Sequence, residues 1–333
     1  MLTAANHRAN VSLFSPRAGS VALLLTVLLA VPNFSFARPQ DKNANATRQR
    51  GNDDPLRLHS DLVVANLIVT DAGGLYAHGL NAKDFTVLED GVPQSINSFL
   101  AEEAPFAAAI LIDMSGSMDY KFGLVRAAAA SFVDHIREND QVAVYGFNNK
   151  IKLFQDFSDL RDISEYVWDA KAEDNTRLYD CADEALDALE KRSEKRRAIL
   201  LISDGCDTTS HKASFNSVMK RALALGVTIY SVDLIDDAAR ISGSGNEILE
   251  LKRGEGEMKE FALQTGGRYV HSPQGDKLEE AFTNIVEELR NQYTITYYPS
   301  NRKRDGRWRK LSVDANRTGL TTRTRKGYWS PKS

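Results

Sequence analysis

The chain has 333 residues, 42% of them hydrophobic and 26% charged, with a formal net charge of −3. That length supports a sizeable core in two or three compact units, and the totals exclude a fibrous, collagenous or wholly disordered protein. The charge is unevenly placed, because residues 301–333 hold eleven Lys and Arg against two Asp.

In chain order, Arg8 and Arg17 precede an apolar run over 21–31, and Ser35-Phe36-Ala37 places small residues where a signal peptidase reads them. Residues 1–37 are therefore expected to be a signal peptide cleaved after Ala37, which sends the chain to the periplasm or outside the cell. The apolar run is too short to cross a bilayer comfortably. The alternative is an uncleaved anchor reaching Phe36, which would be the one route to a membrane. Losing Arg8 and Arg17 takes the net charge from −3 to −5. Residues 38–59 are polar, with Pro39, Gly51 and Pro55, and read as a disordered linker.

Residues 60–100 carry short strand signals at 62–64, 67–70, 85–88 and 95–100, with turns at 71–74 and 89–91. Four such strands form a weak sheet alone. From 105 to 291 the rhythm changes. Apolar runs at 106–112, 142–147, 198–202 and 227–232 alternate with helical patterns at 122–136, 178–189, 215–225, 257–265 and 277–290. A short strand at 151–154 suits an antiparallel neighbour of 142–147. Apolar strands without polar alternation imply a sheet covered on both faces, so this stretch is expected to be a doubly wound, Rossmann-like α/β domain with a mostly parallel sheet. The glycine-containing insert at 236–256 reads as a loop. Residues 292–329 return to strand signals, at 293–298, 308–313 and 321–324. Because each β-rich flank is a poor fold by itself, the two are expected to pair into one β unit. The basic residues at 308–313 sit in a strand-like alternation, which favours a solvated strand over a nucleic-acid surface.

The strongest local signal is Asp113-Met114-Ser115-Gly116-Ser117, placed where a buried strand hands over to a helix. Ligand sites of open α/β sheets lie at that carboxyl edge. The donors are oxygens, one carboxylate and two hydroxyls, and Gly116 permits a tight turn. Hard cations such as magnesium want oxygen ligands and keep some of their waters. Two more loops can complete the set: Thr176 lies just before a helix, and Asp204-Gly205 ends the strand at 198–203. Asp113, Ser115, Ser117, Thr176 and Asp204 are thus the candidate metal residues.

These residues resemble the metal-ion-dependent adhesion site of the von Willebrand factor type A domain. The Asp-x-Ser-x-Ser run is met by Asp113, Ser115 and Ser117, the second-loop threonine by Thr176, and the third-loop aspartate by Asp204. The resemblance implies magnesium, with manganese as a substitute, direct contact through Ser115, Ser117 and Thr176, and action of Asp113 and Asp204 through bound water. It also implies a partner protein that supplies a Glu or Asp as the last ligand. Over residues 60–330 the chain looks like a group of exported bacterial proteins, abundant in acidobacteria, that are called von Willebrand factor A-related. In that architecture Cys181 and Cys206 both approach the metal rim, where a disulfide between them would suit an oxidising compartment.

An enzymatic role is not expected. Asp-Met-Ser-Gly-Ser lacks the Gly-x-Ser-x-Gly elbow and no histidine stands out as its base, which leaves metal-assisted hydrolysis as the remaining catalytic alternative. Gly243-Ser244-Gly245 follows no strand that would seat a pyrophosphate. The main alternative to adhesion is a scaffold role in an envelope complex, through the same site.

Overall fold

The computed structural model describes residues 62–101, 104–159, 175–235, 239–242, 244–271, 273 and 276–332. The expected signal peptide and linker lie outside the described residues.

The centre is a six-stranded mixed sheet. It comprises β5 (Phe106–Asp113), β6 (Gln141–Phe147), β7 (Ile151–Ser158), β8 (Arg196–Ser203), β9 (Val227–Asp233) and β10 (Tyr269–His271) in the order β10-β9-β8-β5-β6-β7. All neighbours are parallel except β7, which runs antiparallel to β6. Every residue of β5 and β9 is buried, as apolar strands covered on both faces require. Helices α1 (Phe122–Asp134) and α6 (Asp276–Arg290) cover one face, where Phe132 meets Phe106 and Phe282 edge-on at 6.5 and 6.4 Å between ring centres. Helices α2 (Leu178–Glu190), α3 (Phe215–Leu225) and α5 (Gly245–Thr265) cover the other.

The flanks form two further four-stranded sheets, each drawing strands from both ends of the chain. One has the order β13-β1-β11-β4, the other β14-β12-β2-β3. Their strands are β1 (Val63–Thr70), β2 (Phe85–Glu89), β3 (Val92–Gln94), β4 (Ile96–Leu100), β11 (Tyr293–Tyr297), β12 (Trp308–Ala315), β13 (Thr321–Thr324) and β14 (Gly327–Trp329). Ala65 pairs with Ile295, and Val87 with Val313. Apolar residues of both sheets join the core beneath α2, α3 and α5. The two sheets are tied by a buried carboxylate, since Glu89 Oε2 accepts from the hydroxyls of Tyr297 at 2.9 Å and Tyr328 at 2.7 Å.

The segment running from β13 into β14 docks on the ends of two helices. Helices α3 and α5 stop at Gly226 and Gly266, both left-handed caps. Lys326 N donates to Gln264 O at 2.9 Å, Arg323 Nη1 to Gly267 O at 2.6 Å, and the Arg325 guanidinium to Leu223 O. Cations belong at helix carboxyl ends, where carbonyls lack intrahelical partners. The strand expected at 308–313 is present, with Arg309 buried and Lys310 exposed. Beyond it Arg325 is buried, and the exposed Arg317 forks onto Asp84 at 2.8 and 3.0 Å.

The insert at 236–256 departs from the expected loop and holds a short helix, α4 (Ala239–Ser242). Helix α5 begins at Gly245 instead of 257, because Ser244 and Glu247 form a reciprocal capping box: Glu247 Oε2 accepts from Ser244 N at 2.7 Å.

Removing the Glu89 carboxylate strands two phenolic hydroxyls in the core. Glu89→Ala should lower the unfolding free energy by roughly 2–4 kcal/mol, and Glu89→Gln, which keeps one acceptor, by less. Urea titration followed by circular dichroism measures both.

Candidate metal centre

Three strand ends meet at the carboxyl edge of the central sheet. Register places Asp113 beside Phe147, Ile112 beside Ile202, and Ser203 beside Asp233, so the loops after β5, β8 and β9 leave side by side. Asp113 is fully buried, and both its oxygens are held. Oδ1 accepts from Ser115 N at 2.9 Å, and Oδ2 from Ser203 Oγ at 2.5 Å. Ser115 Oγ lies 3.0 Å from Ser117 Oγ, which donates to Asp204 Oδ2 at 2.7 Å. A hydrogen-bonded row thus joins Ser115 and Ser117 of the first loop to Asp204 of the third.

Thr176 arrives through its backbone. It is buried, its N–H donates to Thr208 Oγ1 at 2.7 Å, and its carbonyl accepts from Thr208 N and Thr209 N, each at 3.0 Å. Arg177 N reaches Asn148 O at 3.0 Å, just past the end of β6. The second loop is thereby fastened to the third and to the neighbouring strand. Asp113, Ser115, Ser117 and Asp204 are directly connected, while Thr176 bonds through its main chain to Thr208 and Thr209 of the third loop.

The electrostatics call for a counter-charge. Burial pushes the Asp113 carboxyl above its usual range, and the Asp204 carboxylate adds to the rise. Burial raises Asp204 also, with Asp233 contributing. Burying like charges together is costly unless one takes up a proton or a cation offsets them. Carboxylate and hydroxyl oxygens are ligand types that hard divalent cations take. Among the described residues no three His, Cys, Asp or Glu cluster as a metal set.

Three further residues support these loops. Ser203 holds Asp113 and accepts from Gly205 N at 2.9 Å, and its only signal was its place immediately before Asp204. Asp180 is buried beneath the second loop, where its carboxylate accepts from Lys212 N and Ala213 N at 2.9 Å and from Arg177 Nη2 at 2.7 Å. Asp207 orders the same region by accepting from Ser210 Oγ at 2.6 Å and Tyr179 N at 3.2 Å. Cys181 and Cys206 are both free thiols. Cys181 belongs to the apolar core, whereas Cys206 turns toward Asp204 and lowers its pKa by hydrogen bonding.

Residues 108–206 match the family described as von Willebrand factor type A domain. No curated protein sequence matches this chain. Among solved structures, the chain is similar to an aerotolerance-related membrane protein from Bacteroides fragilis, with 18% identity over 56% of this chain and 98% of that one, and a TM-score of 0.42. It is also similar to a von Willebrand factor type A protein from Catenulispora acidiphila, with 13% identity, 81% and 74% covered, and a TM-score of 0.47. A third is proximal thread matrix protein 1 from the mussel byssus with a zinc-occupied MIDAS motif, at 16% identity, 59% and 48% covered, and a TM-score of 0.45.

A carboxyl whose folded pKa is raised opposes folding above its unfolded pKa, and that opposition fades as pH falls through the folded value. In chelator, the thermal midpoint should therefore rise as pH is lowered from about 8 to 6, each unit of upward shift being about 1.4 kcal/mol. Asp113→Asn should flatten that rise, as scanning calorimetry across the range will read out.

Proposed function

From the premise that the chain contains a von Willebrand factor type A domain, marked by residues 108–206, we propose that it is an exported binding module using one divalent cation. Asp113, Ser115, Ser117, Thr176 and Asp204 hold a magnesium ion, with manganese as a substitute, and the ion grips a Glu or Asp of a partner protein. The observation that carries this reading is the row from Ser115 through Ser117 to Asp204, set beside the buried Asp113 carboxylate. It gathers donors from two loops around a surplus of negative charge.

The ion supplies Lewis acidity and positive charge toward an incoming anion. The chain's residues supply placement. Ser203 and the Ser115 amide fix the two oxygens of Asp113, so this carboxylate needs no rearrangement to serve as a charge anchor. Ser117 is exposed, which gives the row an outward end where a partner can approach. The backbone bonds from Thr208 and Thr209 to Thr176 keep the second loop against the third. With two carboxylates among five donors, a divalent ion is neutralised but not overcompensated and keeps its attraction for one more.

Export is supported by the signal-peptide pattern of residues 1–37, and among the described residues no helix is long and apolar enough to cross a membrane.

Isothermal titration of the mature chain with magnesium tests the assignment. Asp113→Ala should lose affinity at least about tenfold, a cost of about 1.4 kcal/mol or more, while the far-ultraviolet circular dichroism stays native. Unchanged affinity in that variant would remove Asp113 from the site.

A further inference from the structure

The end of the sheet built by β12 and β14 carries a cationic and aromatic surface that the metal-dependent reading does not use. Its framework is Asp305, whose Oδ1 accepts from Arg307 N at 3.0 Å, from Arg309 Nη2 at 3.0 Å and from Ser330 Oγ at 2.8 Å. Gly306 N donates to Pro331 O at 3.2 Å, and Ser330 N to Arg307 O at 2.8 Å. These bonds fasten the chain just before β12 to the chain just after β14.

Two indoles lie on this platform. Trp308 and Trp329 are direct partners in the β12–β14 register, with ring centres 4.6 Å apart and planes at 69°. Gly327, the partner of Lys310, leaves room for the Trp308 indole, since a Cβ there would lie 2.5 Å from Trp308 Cζ2. Both indoles are half-buried. Alternate residues of a strand share a face, so Trp308 and the exposed Lys310 lie on one side of β12 and the buried Arg309 and Leu311 on the other.

Cations flank the indole pair along the strand. Lys310 stands two residues beyond Trp308, and before it come Arg307, with its side chain 81% exposed, and Lys332, whose stem crosses Gly306. Extended chain from 306 to 310 spans roughly 13 Å. Among the described residues Lys310 and Lys332 make no ion pair, and Arg307 Nε has only a 4.0 Å approach to Asp305, whose carboxylate already holds the platform together. Asp90 is the acid beside Lys310, and its Oδ1 accepts from the Lys310 main chain at 2.8 Å. Exposed cations in excess of their acids are the footprint of an anionic ligand.

The aromatic pair selects among polyanions. A bilayer surface is held by apolar groups that stand out into it, but these indoles are sunk in the face, and the exposed large hydrophobics of the described residues lie outside 299–332. A bare phosphate chain gives an indole nothing to stack on. A pyranose ring does, because its C–H groups meet the negative face of an aromatic ring. We propose that this row binds an acidic polysaccharide, with a sugar ring on the Trp308–Trp329 pair and acid groups reaching Lys310 on one side and Arg307 and Lys332 on the other. The row shares no residue with the proposed metal site, so the two readings stand or fall separately.

Titration calorimetry of the mature chain in chelator, which takes the metal out of play, tests it. Decagalacturonate should bind at least about tenfold more tightly than inorganic polyphosphate of equal charge, and neutral dextran should give no heat. Raising salt from about 50 to 200 mM should weaken that binding, as counterion release requires. The variant Arg307→Glu, Lys310→Glu changes two exposed side chains, and should bind decagalacturonate at least about tenfold more weakly with its circular dichroism native. No binding of decagalacturonate, equal affinity for polyphosphate, or unchanged affinity in the variant overturns the proposal. Association with phosphatidylcholine vesicles containing phosphatidylglycerol that decagalacturonate fails to displace would assign the row to a lipid surface, against the proposal.

Discussion

Two carboxylates buried at the ends of adjacent strands dominate the organisation of this molecule. Asp113 and Asp204 are raised by burial, and Asp204 acts on Asp113 as a like charge. Such a pair is tolerable only when its oxygens are held by donors and its charge is offset. The donors are present: Ser203 and the Ser115 amide on Asp113, Ser117 and the Cys206 amide on Asp204. Hydrogen bonds of this kind orient the carboxylates without neutralising them.

The remainder of the fold keeps these strand ends rigid from the opposite side. The flanking sheets bury their apolar residues beneath α2, α3 and α5, and the segment running from β13 into β14 binds the carboxyl ends of α3 and α5 through Arg323, Arg325 and Lys326. Those two helices thus end against the flanking strands. Basic residues at the chain's end thereby serve packing and helix termini, a local use that net charge alone does not reveal.

Legibility in the sequence followed periodicity. Strands buried on both faces, such as β5 and β8, announce themselves as apolar runs, and Gly226 and Gly266 mark two helix ends. The brief strands β3 and β14 have three residues each, too few for a pattern, and depend on neighbours distant in sequence. The early start of α5 was hidden by its glycines. Gly254 weakens helical propensity but is needed where the helix meets Gly205. At the site, Asp113, Ser115, Ser117 and Asp204 come together in a way that their spacing and strand-end positions suggested. Ser203 could not be assigned a role, because hydrogen-bond partnership across loops leaves no periodic trace. Whether Cys181 and Cys206 are bonded was open in the sequence for a related reason: nearness to one rim says nothing of which way each thiol points.

The central claim is that a bound hard cation keeps one position open to an outside carboxylate. Water-proton relaxation of manganese titrated with the mature chain, before and after acetate, addresses it most directly, because an exchangeable water on a slowly tumbling ion enhances relaxation. The account predicts enhancement on binding and a fall when acetate displaces that water. No enhancement, or enhancement that acetate leaves untouched, would contradict it.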